Sequence, residues 1–279
     1  MKLFTSSFLL ILLTQLCNAQ YVYKDLVVTR QTTGQWQLYK DNKVKKISLQ
    51  SFESDGQPSE GFLCDQQITA DFSRITTHTH SPGTPDSWIL ANYTTSGQPL
   101  KIQDTSDTYQ STSEYQYDAA GHVTVITNTS LETDNKLKDV EQHLWQYDAQ
   151  GHPTGMLKIK NGNDTTLVRF VTDEKGNIAE ERARRNNTDL PVVYYYYDSG
   201  NRLTDIVRYN IKAQRLLPTY IFEYDNTGDR PSSMLVVPEG SNDYQKWLYE
   251  YDDKGLKTKE SCFNKKKELL GRIEYSYNK

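Results

Sequence analysis

The residues best suited to chemistry in this 279-residue sequence recur in one phrase. "YQYDAAGHV" (115–123) sets Asp118 beside tyrosines and near His122, and "WQYDAQGHP" (145–153), "FEYDNTGDR" (222–230) and "YEYDDKGLK" (249–257) are near-copies. A carboxylate beside an imidazole can act in acid–base catalysis, and two carboxylates flanking a sugar suit glycoside hydrolysis. A catalytic pair is one special site, however, and repetition dilutes that reading. No Gly-x-Ser-x-Gly, His-Glu-x-x-His, phosphate loop or Cys/His metal spacing is present. The sequence therefore predicts no catalytic residue, with a glycan-acting enzyme kept only as an alternative.

His78 and His80 in "HTH" would share a strand face and could bind a metal, but the spacing indicates no third ligand and the segment leads into Pro82. A solvated loop is the expectation, with no metal and no cofactor. His122 and His152 follow the Gly of their phrases, a slot filled elsewhere by Asn177, Asn201 and Asp229, and read as a polar turn position. Tyr194 and Tyr196, within "YYYY" (194–197), are the rings expected on an outer face, and they are the speculative binding contact.

The elements that position these residues follow from their periodicity. Tyr93, Tyr117, Tyr147, Thr172, Tyr197, Tyr224, Tyr251 and Tyr277 align at spacings of 24, 30, 25, 25, 27, 27 and 26 residues. A period in this range signals an array of one supersecondary unit. Two positions earlier stand Tyr115, Trp145, Phe170, Tyr195, Phe222, Tyr249 and Tyr275, and the positions between are mostly polar, as in Gln116, Gln146, Glu223 and Glu250. That alternation describes a strand buried on one face, its rings facing the core. Asp118, Asp148, Asp198, Asp225 and Asp252 can accept turn N–H groups, while Gly121, Gly151, Gly228 and Gly255 can take the positive φ that closes the turn. In "YDSGN" the glycine, Gly200, comes one residue early. Each unit is thus two strands and two turns.

The phrases "YDAAGHVTVI", "YDAQGHPTGM" and "YDSGNRLTDI" resemble the YD repeats of the rearrangement-hotspot (Rhs) family, well over 91–279 and weakly over 36–90. In large members of that family the repeats coil into a shell around a C-terminal toxin, and in animal relatives they form part of an adhesion receptor. This chain departs from the toxin pattern: it ends on a repeat at 275–279 without a cargo domain, and no Asp-Pro-x-Gly-Leu stretch is found. The resemblance implies a β-rich secreted scaffold that binds carbohydrate or a protein partner.

Residues 1–19 match a secretory signal peptide cleaved between Ala19 and Gln20. The expected address is secreted or periplasmic, with cell-surface association. No later run is long and apolar enough for a membrane-spanning helix, and a mean hydropathy of -0.75 argues against a lipid-facing barrel. A net charge of -4 without long charge runs disfavours nucleic acid. The expected partners are a polysaccharide or an envelope protein.

The expected fold is all-β, a repetitive antiparallel meander of two-stranded YD-type repeats forming a single twisted or curling sheet. Residues 20–87 read as divergent leading repeats that cap the array, "WQLYKDNKVKKI" (36–47) as a degenerate copy aligned on Tyr39, and "HTHSPGTPD" (78–86) as the loop separating it from 88–279. An open array would be roughly 75 Å long and hold Cys64 and Cys262 on the order of 70 Å apart. A sheet closing on itself would allow their disulfide. Function is expected to be that of a non-catalytic scaffold, with a shell-type component of a toxin or secretion system as the alternative.

Overall fold

A computed structural model describes residues 21–279 except 135, 226–227 and 239–242. The Ala19/Gln20 cleavage site lies outside the described residues. Among the described residues one helix, α1 (Lys24–Asp41), precedes nineteen strands. They are β1 (Lys46–Glu53), β2 (Leu63–Ile68), β3 (Arg74–His80), β4 (Ser87–Tyr93), β5 (Pro99–Thr105), β6 (Tyr109–Tyr117), β7 (Val123–Glu132), β8 (Lys138–Tyr147), β9 (Pro153–Lys160) and β10 (Asp164–Thr172), followed by β11 (Ile178–Arg185), β12 (Thr188–Asp189), β13 (Val193–Tyr197), β14 (Leu203–Asn210), β15 (Arg215–Tyr224), β16 (Pro231–Val236), β17 (Gln245–Tyr251), β18 (Lys257–Asn264) and β19 (Leu269–Asn278).

Sequential strands pair antiparallel, and β1 pairs with both β2 and β19. The sheet is therefore closed, which corrects the expectation of an open array. The two-residue β12 only flanks β11, so eighteen strands make the ring. The seam runs from Lys46↔Asn278 to Glu53↔Gly271. An even strand number lets the first and last strands meet antiparallel, so the ring closes without breaking its alternation.

The aromatic alternation supplies the inner face. Trp145, Tyr195, Tyr220, Trp247 and Ile273 are buried, whereas Gln146, Tyr196 and Glu250 on the intervening positions are exposed. The register shifts at Gln116/Tyr117, Gln146/Tyr147, Tyr196/Tyr197 and Glu250/Tyr251 place a bulge just before each turn.

Eighteen strands about 4.8 Å apart, tilted as barrel strands are, give a backbone diameter of about 36 Å. Helix α1, about 27 Å long from its residue count, crosses that lumen. Its neighbours lie on opposite sides of the ring. Tyr21, Tyr23, Leu26 and Val27 pack against Ile178, Val193, Tyr195, Ile206 and Tyr220, and Val22 and Leu26 also meet Val123, Trp145, Met156 and Val168. At the other end Trp36 and Tyr39 pack with Val44, Ile47, Ile68, Ile75 and Leu256.

This helix corrects the reading of 36–47 as a repeat copy. Tyr39 matches the repeat period by coincidence, while the inward residues Val22, Leu26, Thr29, Trp36 and Tyr39 follow helical i+3, i+4 and i+7 spacing. Residues 62–73, by contrast, do hold a repeat-type turn although they lack the Tyr-Asp-x-x-Gly phrase. Phe72 N–H donates to Thr69 O at 2.9 Å with Phe72 at φ 58, which reproduces the turn that Gly121 makes on Asp118. The 78–86 segment does not divide the sheet, because β3 and β4 pair across it from Arg74↔Asn92 to Thr79↔Ser87.

Closure does not bring the two cysteines together. Cys64 faces Leu49, Leu49 faces Tyr275, and Cys262 faces Gly271, so β1 and β19 lie between their strands. Three strand spacings and an offset of about four residues leave them roughly 19 Å apart, and both are buried free thiols. The expected link between ring closure and a disulfide is wrong, since a ring only makes neighbours of its terminal strands.

Candidate functional site: a tyrosine groove between two repeat turns

Each signature residue has a defined place at one rim of the barrel. Asp148 Oδ1 accepts from Gln150 N–H at 2.9 Å and His152 N–H at 2.8 Å, and Asp118, Asp173 and Asp252 bind their turns in the same way. The carboxyls of Asp118, Asp148, Asp173 and Asp198 are held below their ordinary range, Asp118 and Asp173 chiefly by the side chains of His122 and Asn177, and Asp148 and Asp198 chiefly by the turn N–H groups of His152 and Arg202. In the Tyr197 copy the turn keeps its full length. Asn201 takes φ 67 and its N–H donates to Asp198 O at 3.1 Å, so Asn201 stands where Gly121 stands, and Gly200 is not the turn glycine.

The signature tyrosines link repeats laterally. Tyr117, Tyr147, Tyr197, Tyr224, Tyr251 and Tyr277 donate to the carbonyls of Pro99, Val123, Ile178, Leu203, Pro231 and Lys257, each opening the return strand of the preceding repeat, at 2.7–3.0 Å. Strand pairing between most repeats stops short of these residues, as at Val125↔Leu144 and Glu180↔Tyr194. The phenol spans the resulting slit.

The slot after the turn glycine is a polar turn position whose residues also form a second lateral belt. Gln98 Nε2 donates to Gly121 O at 2.7 Å, Asn177 Nδ2 to Asn201 Oδ1 at 2.7 Å, and Arg230 Nη1, from one residue beyond Asp229, to Gly255 O at 2.6 Å. His122 stacks on Tyr147 with ring centroids 4.9 Å apart while its Nδ1 lies 2.9 Å from Asp118 Oδ2. His152 repeats the pairing with Asp148 at 3.1 Å.

Tyr194 and Tyr196 lie on the outer face of β13, where that strand meets β11 through only Glu180↔Tyr194 and Glu181↔Val193. Beside them is an open groove of about 510 Å³ lined by Asp173, Glu174, Glu180, Tyr194, Tyr196 and Asp198 among others. Tyr196 is 50% exposed and Tyr194 is half-buried. The equivalent pairs elsewhere are Glu114/Gln116, Leu144/Gln146, Arg169/Val171, Ile221/Glu223 and Leu248/Glu250, so only this slit carries two outward rings. Three of its four carboxylates are already engaged, and Glu174 stands beside Lys175 in the lining. Asp173 is bound by Asn177, Asp198 by the Arg202 guanidinium at 2.7 Å, and Glu180 by Arg182 at 2.7 Å. What remains available is an aromatic floor with polar walls, a surface for stacking a ring edged with hydroxyls.

The histidine pair acquires a carboxylate that spacing did not reveal. Asp86 Oδ2 lies 2.8 Å from His78 Nε2 and its Oδ1 lies 2.6 Å from His80 Nδ1, and His78 stacks on the exposed Trp88 at 4.1 Å. Among the described residues no group of three His, Cys, Asp or Glu side chains is arranged to hold a metal. The buried Glu181 and His143, which hold α1, carried no sequence signal beyond being charges on inward strand positions.

No protein-family model matches the sequence, and no curated protein matches it. Among solved structures, a porin-like protein from Bacteroides uniformis is similar at 10% identity and a TM-score of 0.38, covering 84% of this chain and 98% of that one. A porin-like protein from Bacteroides vulgatus is similar at 13% identity and a TM-score of 0.28 over 84% of this chain and 98% of that one. The Photorhabdus luminescens Tc holotoxin pore is similar at 13% identity and a TM-score of 0.30, over 78% of this chain but only 15% of that one. At these values the similarities carry no argument about what the barrel does.

Proposed function

We propose that this protein is a secreted or periplasmic, non-catalytic YD-repeat scaffold that binds carbohydrate in the groove at Tyr194 and Tyr196. The observation that carries the reading is the double tyrosine beside this groove, where the equivalent pairs of the other repeats compared carry no aromatic residue and at most one apolar one. With Asp173, Glu180 and Asp198 paired and Lys175 lining the groove beside Glu174, the groove favours a neutral, hydroxyl-rich ligand over a cationic peptide. Pairing of β13 with β14 at Tyr194↔Val207 and Tyr196↔Asp205 holds the backbone under the rings in place, which limits the ordering cost of binding.

The outer wall also supports an aqueous setting. Lys46–Asp65, Lys101–Glu114, Lys246–Glu223 and Lys259–Glu250 pair across its outward face at 2.7–2.9 Å, on positions that a lipid-facing barrel would fill with apolar residues. Helix α1 across the lumen weighs against a shell that encloses a separate cargo.

A glycan array followed by calorimetry tests the reading. We expect a polysaccharide hit that Tyr196→Ala weakens about tenfold or more and that Gln146→Ala, at the equivalent position one repeat pair away, leaves unchanged. Binding insensitive to both changes, or none across the array, contradicts it.

A further inference from the structure

Helix α1 is attached to the wall by two charged clasps. At its start, buried Glu181 on β11 accepts from Val22 N–H at 2.8 Å, Tyr23 N–H at 3.0 Å and Tyr195 Oη–H at 2.7 Å. One turn further on, Asp25 Oδ2 lies 2.5 Å from His143 Nδ1 on β8, and His143 Nε2 lies 2.8 Å from Glu141 Oε1. Lys158 on β9 completes the chain, with Nζ 2.7 Å from Glu141 Oε2. His143 is 4% exposed. Both of its ring nitrogens face carboxylates, so the imidazolium form satisfies every partner, whereas a neutral ring leaves one carboxylate facing an unprotonated nitrogen.

The rest of the helix binds the wall chiefly through side chains. The exposed face carries Arg30, Gln31, Gln35, Gln37 and Lys40. The ring, by contrast, is continuous in main-chain hydrogen bonds from β1 round to β19 without the helix contributing a strand. Two layers of stability follow: a cooperative wall, and a crossing element held by the clasps and by side-chain packing of Tyr21, Tyr23, Leu26, Trp36 and Tyr39, without main-chain pairing into the sheet.

We propose that α1 is a gate across the lumen, locked to the wall by the Asp25–His143–Glu141 bridge and released, with the wall intact, when His143 loses its proton. The charged and titratable groups around the bridge are Asp25 on α1, Glu141 on β8, Lys158 on β9, and the phenols of Tyr115 on β6 and Tyr147 on β8, which lie close enough to feel the Asp25 charge. Burial alone would depress His143, but Asp25 and Glu141 outweigh it and raise the imidazole to about 9. Burial alone would raise Glu141, but His143 and Lys158 bring it to about 2. A raised imidazole contributes fully below its unfolded value near 6.5, and the contribution is lost as pH rises through about 9. The lock is therefore closed at neutral pH and opens on the alkaline side.

Native-state hydrogen exchange on the full chain tests this, with amide protection factors in 26–40 compared with those in β7–β9 at pH 6.5 and 9.5. Protection in α1 should fall about ten- to a hundredfold, while the wall strands keep theirs. Asp25→Asn, which retains a polar partner for the ring but removes the charge, should lower helix protection at pH 6.5 and flatten its pH dependence. His143→Gln should do the same if it folds. Equal loss of protection in helix and wall, or a helix whose protection and pH response are unchanged in Asp25→Asn, overturns the proposal.

Discussion

Removing one hydroxyl, in Tyr147→Phe, tests whether the signature tyrosines hold the barrel rim together. Tyr147 Oη donates to Val123 O at 2.8 Å, and Val123 is 4% exposed, so its carbonyl has little access to water once the phenol is gone. A net hydrogen bond is worth about 1 kcal/mol and a stranded buried acceptor about as much again, which gives a loss of about 1–2 kcal/mol. For a chain of this size that lowers Tm by roughly 2–8 °C. Differential scanning calorimetry is the assay, with Tyr196→Phe as the control, because that exposed hydroxyl makes no lateral bond and its loss should stay within about 0.5 kcal/mol. Tyr147→Phe combined with Tyr251→Phe, four repeats away, should add. Equal stability of Tyr147→Phe, Tyr196→Phe and the unmodified protein would refute the reasoning, since the phenol would then contribute nothing across the slit.

Two further outcomes follow from the packing. Gly97 has φ 85 and a Cβ there would overlap the Trp36 indole, so Gly97→Ala should cost about 2–4 kcal/mol by denaturant titration, whereas Gly83→Ala, with open space around it, should cost only the backbone strain. Burial pushes the Cys64 thiol up and the Cys262 thiol up to about 12, so in the chain beginning at Gln20, which lacks Cys17, thiol titration should find no fast-reacting thiol when folded and two after denaturation, with no disulfide.

The period-two alternation made the strands, their inner face and the turn roles of Asp118 and Gly121 legible from sequence alone, because these depend on neighbours within one repeat. The exposure of Tyr196 was legible for the same reason. Closure was not, because the pairing of 46–53 with 271–278 joins segments more than two hundred residues apart and neither carries a local mark of its partner. The helix was hidden by a rival signal, Tyr39 at the repeat period, which outweighed the helical spacing of Leu26, Thr29, Trp36 and Tyr39. Asp86 and His143 became meaningful only when hairpin geometry and the crossing helix supplied their partners.

The lumen, the gate and the rigidity of the groove all require that the ring is closed, and the seam can be tested directly. Ser48 on β1 and Ser276 on β19 are opposed in register, and opposed residues of antiparallel strands have Cα separations of about 4.5–5.5 Å, within disulfide range. In the Ser48→Cys, Ser276→Cys double variant, mild oxidation of the folded monomer followed by peptide mass spectrometry should give one intramolecular 48–276 disulfide in near-quantitative yield. Free thiols at both positions, or disulfides formed only between molecules, would contradict the closed barrel.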